Sequence, residues 1–255
     1  MDKGPLPPRQ QRRLPVYGLR MQLLLWLALP ITLLVLVILL VEVNSHERAM
    51  QRLVQARADS LVTATAALIG ARVDHAQDVL AQLARSLPAE ATTNELSLPL
   101  FSSGLARYRV NGEPISTSST RSWPAVPQLR TLVRRVAGVN APSFVTLLDE
   151  QTQQWLLVLA APIKTSASLD VLVGATPVRR LLLENLFEPL APGADAEFHL
   201  EDADGGTLIE LVDAHQTLAS ATHVVTAQAT VPTTGWRVVL HESWAGLVPT
   251  VLRLD

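Results

Sequence analysis

Residues able to do chemistry are sparse in this chain, and their types narrow the choice at once. There is no cysteine among the 255 residues, which removes disulfides, thiolate zinc sites, iron–sulfur clusters and cysteine nucleophiles. His199, Glu201, Asp202 and Asp204 lie close enough in sequence to suggest metal ligation. On a strand, however, His199 and Glu201 share one face while Asp202 points to the other, and Asp204-Gly205 is an ordinary turn pair. No metal site is expected. Nucleophilic catalysis finds no Gly-x-Ser-x-Gly elbow, and the serines do not cluster with His and Asp in a triad order. The 12 glycines are dispersed, so no phosphate-cradling loop forms. The pairs Arg134-Arg135 and Arg179-Arg180 read as solvated helix faces. The chain is therefore expected to be no enzyme and to hold no cofactor.

The elements that position the remaining residues are distributed unevenly. With 48% hydrophobic residues there is ample apolar surface to offset the entropy of ordering, which excludes a disordered chain. A net charge of −2 argues against a nucleic-acid partner. Five of the 21 basic residues, against one of the 23 acidic ones, fall in the first twenty positions. From Met21 to Val41 no residue is charged, and at 1.5 Å rise that run spans ~31 Å, the thickness of a bilayer's hydrocarbon layer. Pro30 lies inside it, where a membrane helix tolerates a kink. Val41-Glu42-Val43-Asn44-Ser45-His46 offers no small-x-small cleavage pattern, so the segment is predicted to be an uncleaved transmembrane anchor. The basic flank puts the N-terminus in the cytoplasm, with anionic lipid as its partner. His46-Glu47 superficially resembles a kinase's phospho-accepting His, but it follows the span on the outer side, where no ATP is available.

From Glu42 to Leu87 there is no proline and a single glycine, Gly70, among many strong helix formers. Val73, Ala76, Leu80, Leu83 and Leu87 alternate by three and four, and upstream Leu61, Ala64, Leu68 and Ala71 carry a similar rhythm. This predicts a stalk helix that could reach ~70 Å, ended by Pro88. Beyond it the period changes. Asn111-Gly112 between Leu105–Val110 and Ile115–Thr117 signals a hairpin in which both residues accept positive φ. A helix from Pro127 buries Leu129, Leu132, Val133 and Val136 and exits at Gly138. Strands follow at Ser143–Leu148, Trp155–Ala161 and Val171–Ala175, and Thr176-Pro177 opens another helix. A second set repeats the pattern: Ala196–Leu200, a turn at Asp204-Gly205-Gly206, Thr207–Val212, His223–Val231 and Gly235–His241.

This order resembles the double Cache family, the PAS-like extracytoplasmic sensor domains of bacterial receptors. Three segments carry the resemblance: Tyr108-Arg109-Val110-Asn111-Gly112-Glu113-Pro114-Ile115-Ser116, then Leu157–Ile163 with Val171–Leu181, then Ala229–Val239 with its Gly235-Trp236 pair. It implies an α+β fold with these boundaries: tail 1–20, transmembrane helix 21–41, stalk 42–88, membrane-distal module 89–180, membrane-proximal module 181–242 and exit helix 243–255. It also implies a small extracytoplasmic ligand held between the distal sheet and Ser116–Leu132, with Tyr108, Arg121, Trp123 and Thr176 as ligand-binding candidates. Arg121-Ser122-Trp123 matches half of the amino-acid-binding Arg-x-Trp-Tyr pattern. Pro124 replaces its Tyr, and Thr176 stands where that subset has an Asp. An Arg fork takes a carboxylate bidentately, whereas losing the Asp removes the reason to bind an α-amino group.

The function implied is ligand sensing by a homodimer in the bacterial plasma (inner) membrane. Its missing output is most simply a two-component histidine kinase, ahead of a chemotaxis transducer. A membrane-anchored envelope scaffold that binds protein is the rival from another class.

Overall fold

The computed structural model describes residues 18–88, 91–93, 96, 98–118, 126–164, 169–186, 196–212 and 224–243. They divide into two units at Leu53/Val54. Helix α1, Leu19–Ser86, is assigned across that boundary. In the first unit its apolar side chains are exposed, Trp26 to 83%. Among the described residues it is the one helix long and apolar enough to cross a membrane. Pro30 stays inside it, and the Thr32 hydroxyl donates to the Ala28 carbonyl at 2.6 Å, so this polar group is satisfied within the helix.

The second unit holds two antiparallel sheets. The first contains β1 Gly104–Arg109, β2 Pro114–Thr117, β3 Ser143–Asp149, β4 Gln154–Lys164 and β5 Leu169–Pro177, in the order β2-β1-β5-β4-β3. Helix α2, Pro127–Val139, lies between β2 and β3 in the chain. After β5, α3 (Val178–Leu186) precedes β6 Ala196–Glu201, β7 Thr207–Val212, β8 Val224–Thr230 and β9 Arg237–Ser243, ordered β7-β6-β9-β8. The fold is α+β.

Period-2 alternation gives each strand two faces. On the first sheet one face contributes Leu105, Leu157, Leu159, Leu172 and Ile163 to a core shared with α1. The second sheet adds Phe198, Leu200, Ala227, Trp236, Val238 and Leu240 to the same core. The helix meets both sheets with a continuous stripe: Val54, Ala58, Val62, Ala66, Ile69, Val73, Ala76, Leu80 and Ala84, all buried. That stripe differs from the expected upstream seam. Leu68 is 45% exposed, and Ala64 and Ala71 also face outward. The reason is phase: Ala71 and Val73 are two residues apart, which at 100° per residue puts them on nearly opposite sides of a helix. Continuing from Val73 by steps of four and three reaches Ile69, Ala66 and Val62 instead.

Three local expectations also change. The β1–β2 connection is a four-residue loop in which Gly112 alone takes positive φ (+87°), while the Asn111 side chain accepts from the Glu113 N–H at 3.0 Å. Asn111 works as an Asx turn rather than as a left-handed residue. Helix α2 runs past Gly138 and is capped by Asn140, in the left-handed region at φ 55°. Thr176-Pro177 does not open a helix; both residues belong to β5, where Pro177 is opposite Leu156, and α3 starts at Val178. The proposed exit helix lies outside the described residues, apart from Ser243, which ends β9.

Gly174 on β5 is set against Phe101, which ends a short 3-10 turn at Pro99–Phe101. A Cβ at Gly174 would come within 2.6 Å of that ring. Gly174→Ala is therefore expected to lower stability by about 1–3 kcal/mol through overpacking. Denaturant unfolding of the full chain in detergent micelles reads this as a reduced midpoint, and an unchanged midpoint would show that Phe101 moves aside freely.

Candidate functional site

The other face of the first sheet is closed by α2. Its 13 residues carry Leu129, Leu132, Val133 and Val136 on one side, and these pack on Ala106, Tyr108, Val158, Ala160, Val171, Val173 and Ala175. Around Tyr108 that face is mostly Ala and Val, with Leu147 and Leu156 toward the β3 edge. Tyr108 is fully buried and opposite Val171. Burial pushes its phenol well above the ordinary tyrosine range, keeping it neutral.

Where α2 begins, the packing opens into a cleft of about 700 Å³ lined by Val126, Pro127, Gln128, Thr146, Leu147, Leu148, Asp149, Glu150, Trp155 and Leu156. That volume suits a small organic molecule. Sequence dictates its walls. Pro127 supplies the fixed φ of a first helical turn, and the turn after β3 brings Asp149 and Glu150 to the rim. Asp149 is buried and accepts from the Gln151 N–H at 3.2 Å and the Thr152 hydroxyl at 2.7 Å, which fixes the hairpin. Trp155 is half-buried and opposite Leu148. A ligand there would meet apolar residues such as Leu147 and Leu156 together with the carboxylates of Asp149 and Glu150, while Trp155 itself packs on the α1-side core.

The residues singled out in the sequence separate as follows. Tyr108 is on the α2 face. Thr176 is buried to 1% exposure, and its register opposite Leu157 puts it on the α1 face. The sheet thus stands between Tyr108 and Thr176. Arg121 and Trp123 lie outside the described residues, in 119–125, directly before the Val126 wall of the cleft. Asp202 accepts from the Asp204 N–H at 3.0 Å and the Gly206 N–H at 2.6 Å, which is the turn chemistry expected there. Sequence reasoning missed Asp149, Glu150 and Trp155. The run Asp149–Gln154 reads only as a polar turn, and nothing in it signals that α2 faces it.

On the α1 face a second polar feature was also missed. Arg107 of β1 meets Asp170 of β5 through Nη2 at 2.6 Å and Nε at 3.0 Å, with both side chains 6% exposed. Arg107 Nη1 also donates to the Ala91 carbonyl at 3.0 Å. The ion pair therefore ties the chain that follows α1 to the middle of the first sheet.

No family model matches the sequence, and no curated protein matches it. Solved structures do share its architecture. The ligand-binding domain of the Pseudomonas aeruginosa amino acid chemoreceptor PctC, in complex with GABA, is 18% identical. The match covers 74% of this chain and 100% of that one, with a TM-score of 0.54. The domain of the Pseudomonas fluorescens chemoreceptor CtaA, in complex with L-serine, is 13% identical over 76% of this chain and 98% of its own, with a TM-score of 0.55. The fold is that of these ligand-binding domains. The extracellular domain of rpHK1S-Z16, assigned as a histidine kinase, has the same architecture at 12% identity, covering 77% and 97% of the two chains, with a TM-score of 0.54. At these identities the likeness concerns the fold.

Within this fold, Asp170→Ala leaves the Arg107 guanidinium buried without its counter-charge. A loss of about 3–5 kcal/mol is expected, with a smaller loss when both partners are replaced by leucine. A double-mutant cycle on chemical unfolding checks this. A loss in the double variant equal to the sum of the two single-variant losses would mean that the pair is not coupled.

Proposed function

We propose that this chain is the extracytoplasmic ligand-sensing part of a membrane signal-transduction receptor, with a two-component histidine kinase as its output and no catalytic step of its own. The observation that carries the reading is one chain joining a membrane-length apolar helix to the two-sheet sensor fold. The likeness to a sensor domain assigned to a histidine kinase supports the output module, and the likeness to PctC and CtaA supports a chemotaxis-type receptor as the second reading. Those two domains hold GABA and L-serine, which supports a small molecule as the partner here. The cleft beside α2 is its site, and Arg121 is the group that would take a carboxylate.

In this reading the N-terminal tail is cytoplasmic, the sheets lie beyond the plasma (inner) membrane, and two copies pair so that helix displacement carries the signal. The ligand acts by binding one of two arrangements of the first sheet more tightly than the other.

Thermal unfolding of the full chain in detergent micelles, against panels of carboxylates, amines and sugars, tests the reading. At a hundredfold excess over Kd one ligand class adds about 2.7 kcal/mol, which raises Tm by roughly 5–10 °C for a chain of this size. A flat response to every panel, with an envelope protein captured instead, would favour the scaffold. An alkaline phosphatase fused after Asp255 should be active, and a silent fusion places the sheets in the cytoplasm.

A further inference from the structure

The end of β9 carries titratable groups on both faces of the second sheet, and ligand sensing uses none of them. Toward α1, Glu242 is only 6% exposed. Register puts it beside Ala196 of β6 and Val225 of β8, both apolar. Its charged neighbour on α1 is Arg57, whose attraction offsets part of the burial penalty but leaves the carboxyl raised above its usual range. Asp59 of α1 is engaged elsewhere, accepting from Gln55 Nε2 at 2.9 Å. Among the described residues no hydrogen bond reaches the Glu242 carboxylate.

On the outer face, His241 Nδ1 and the Thr226 hydroxyl are 3.0 Å apart. The His241 ring lies edge-on to His199, with centroids 5.7 Å apart, and His199 Nε2 is 3.9 Å from a Glu197 oxygen. Register sets Glu197 across from His241 and Glu210 across from His199. The remaining charges on this face, Glu201 and Arg237, pair with each other at 2.8 Å. Thr226 joins the two sides, because its carbonyl also accepts from Gln55 Nε2 at 3.1 Å.

We propose that this end of the second sheet is a proton-responsive clasp, which acid locks onto α1 near Val54–Ala58 and neutral pH loosens. Protonation removes a charge that Glu242 otherwise holds in a nearly closed apolar setting. The direction follows from linkage: a carboxyl raised in the folded state contributes stability that is present in acid and lost as pH climbs through its folded value. A receptor built this way reports external acidity through the same helix that meets the first sheet, with no ligand in the cleft.

Hydrogen–deuterium exchange on the full chain in detergent micelles reads the clasp, at about pH 5.5 and about pH 7.5 with intrinsic rates corrected. Residues 54–69 and 224–243 are expected to exchange severalfold more slowly in acid. Glu242→Gln should hold the acid level of protection at both pH values, so that the ratio falls to near one. A wild-type ratio near one, or a Glu242→Gln ratio equal to that of wild type, overturns the proposal. Arg57→Met, on an exposed position of α1, keeps the test decisive if Glu242→Gln does not fold. It should carry acid-like protection to higher pH, and an unmoved profile overturns the clasp.

Discussion

The architecture rests on one helix stripe that has to satisfy two sheets. From Val54 to Ala84 the buried positions of α1 recur at three or four residues, and all of them except Val54 join a single core with strands from both modules. The two sheets share no strand pairing, and each turns one face toward this helix. Each is half a sandwich, and the helix is the common second layer. Small residues at Ala58, Ala66, Ala76 and Ala84 let the strands approach closely, while Val62, Ile69, Val73 and Leu80 fill the volume between them. The two sheets thus share one packing partner in the stretch Val54–Ala84.

The first sheet divides its labour by face. Toward α1 it presents large aliphatics, the close Gly174–Phe101 contact and the Arg107–Asp170 pair, all of which fix position. Toward α2 it presents mostly Ala and Val, and beside them a cleft with an acidic rim. Desolvated ion pairs specify geometry more reliably than they add stability. Recognition surfaces need the opposite, a floor whose contacts can be redistributed. The two requirements are met on opposite sides of a single layer, through nothing more than the alternation of side chains along β1, β4 and β5.

Much of this was legible in the residues. The absence of charge from Met21 to Val41, the shift from helical to strand periodicity after Pro88, and the glycine-marked turns at Gly112 and Gly205 each reflect local chemistry, so each could be read locally. The phase of the α1 stripe could not, because Ala64 and Leu68 are as good helix residues as Ala66 and Ile69, and the sheets decide which set is buried. Thr176-Pro177 misled for a related reason. Its cap-like sequence is overridden by pairing with Leu157 and Leu156, which extends β5 by two residues. Arg107 and Asp170 are 63 positions apart, and neither carries a signal that the other exists. The cleft depends on α2 meeting the β3–β4 turn, a tertiary fact with no local signature.

The shared stripe also sets an order of events during synthesis. Gln55 is synthesised 171 residues before the Thr226 carbonyl that it finally bonds. Throughout that interval the stripe of α1 has emerged with half of its burial partners not yet made. All strands of the first sheet are made before β6, so their part of the stripe can be covered first. The lower half waits for the last strands, and until β8 and β9 are made its apolar positions have no cover, which is the stage most open to wrong association.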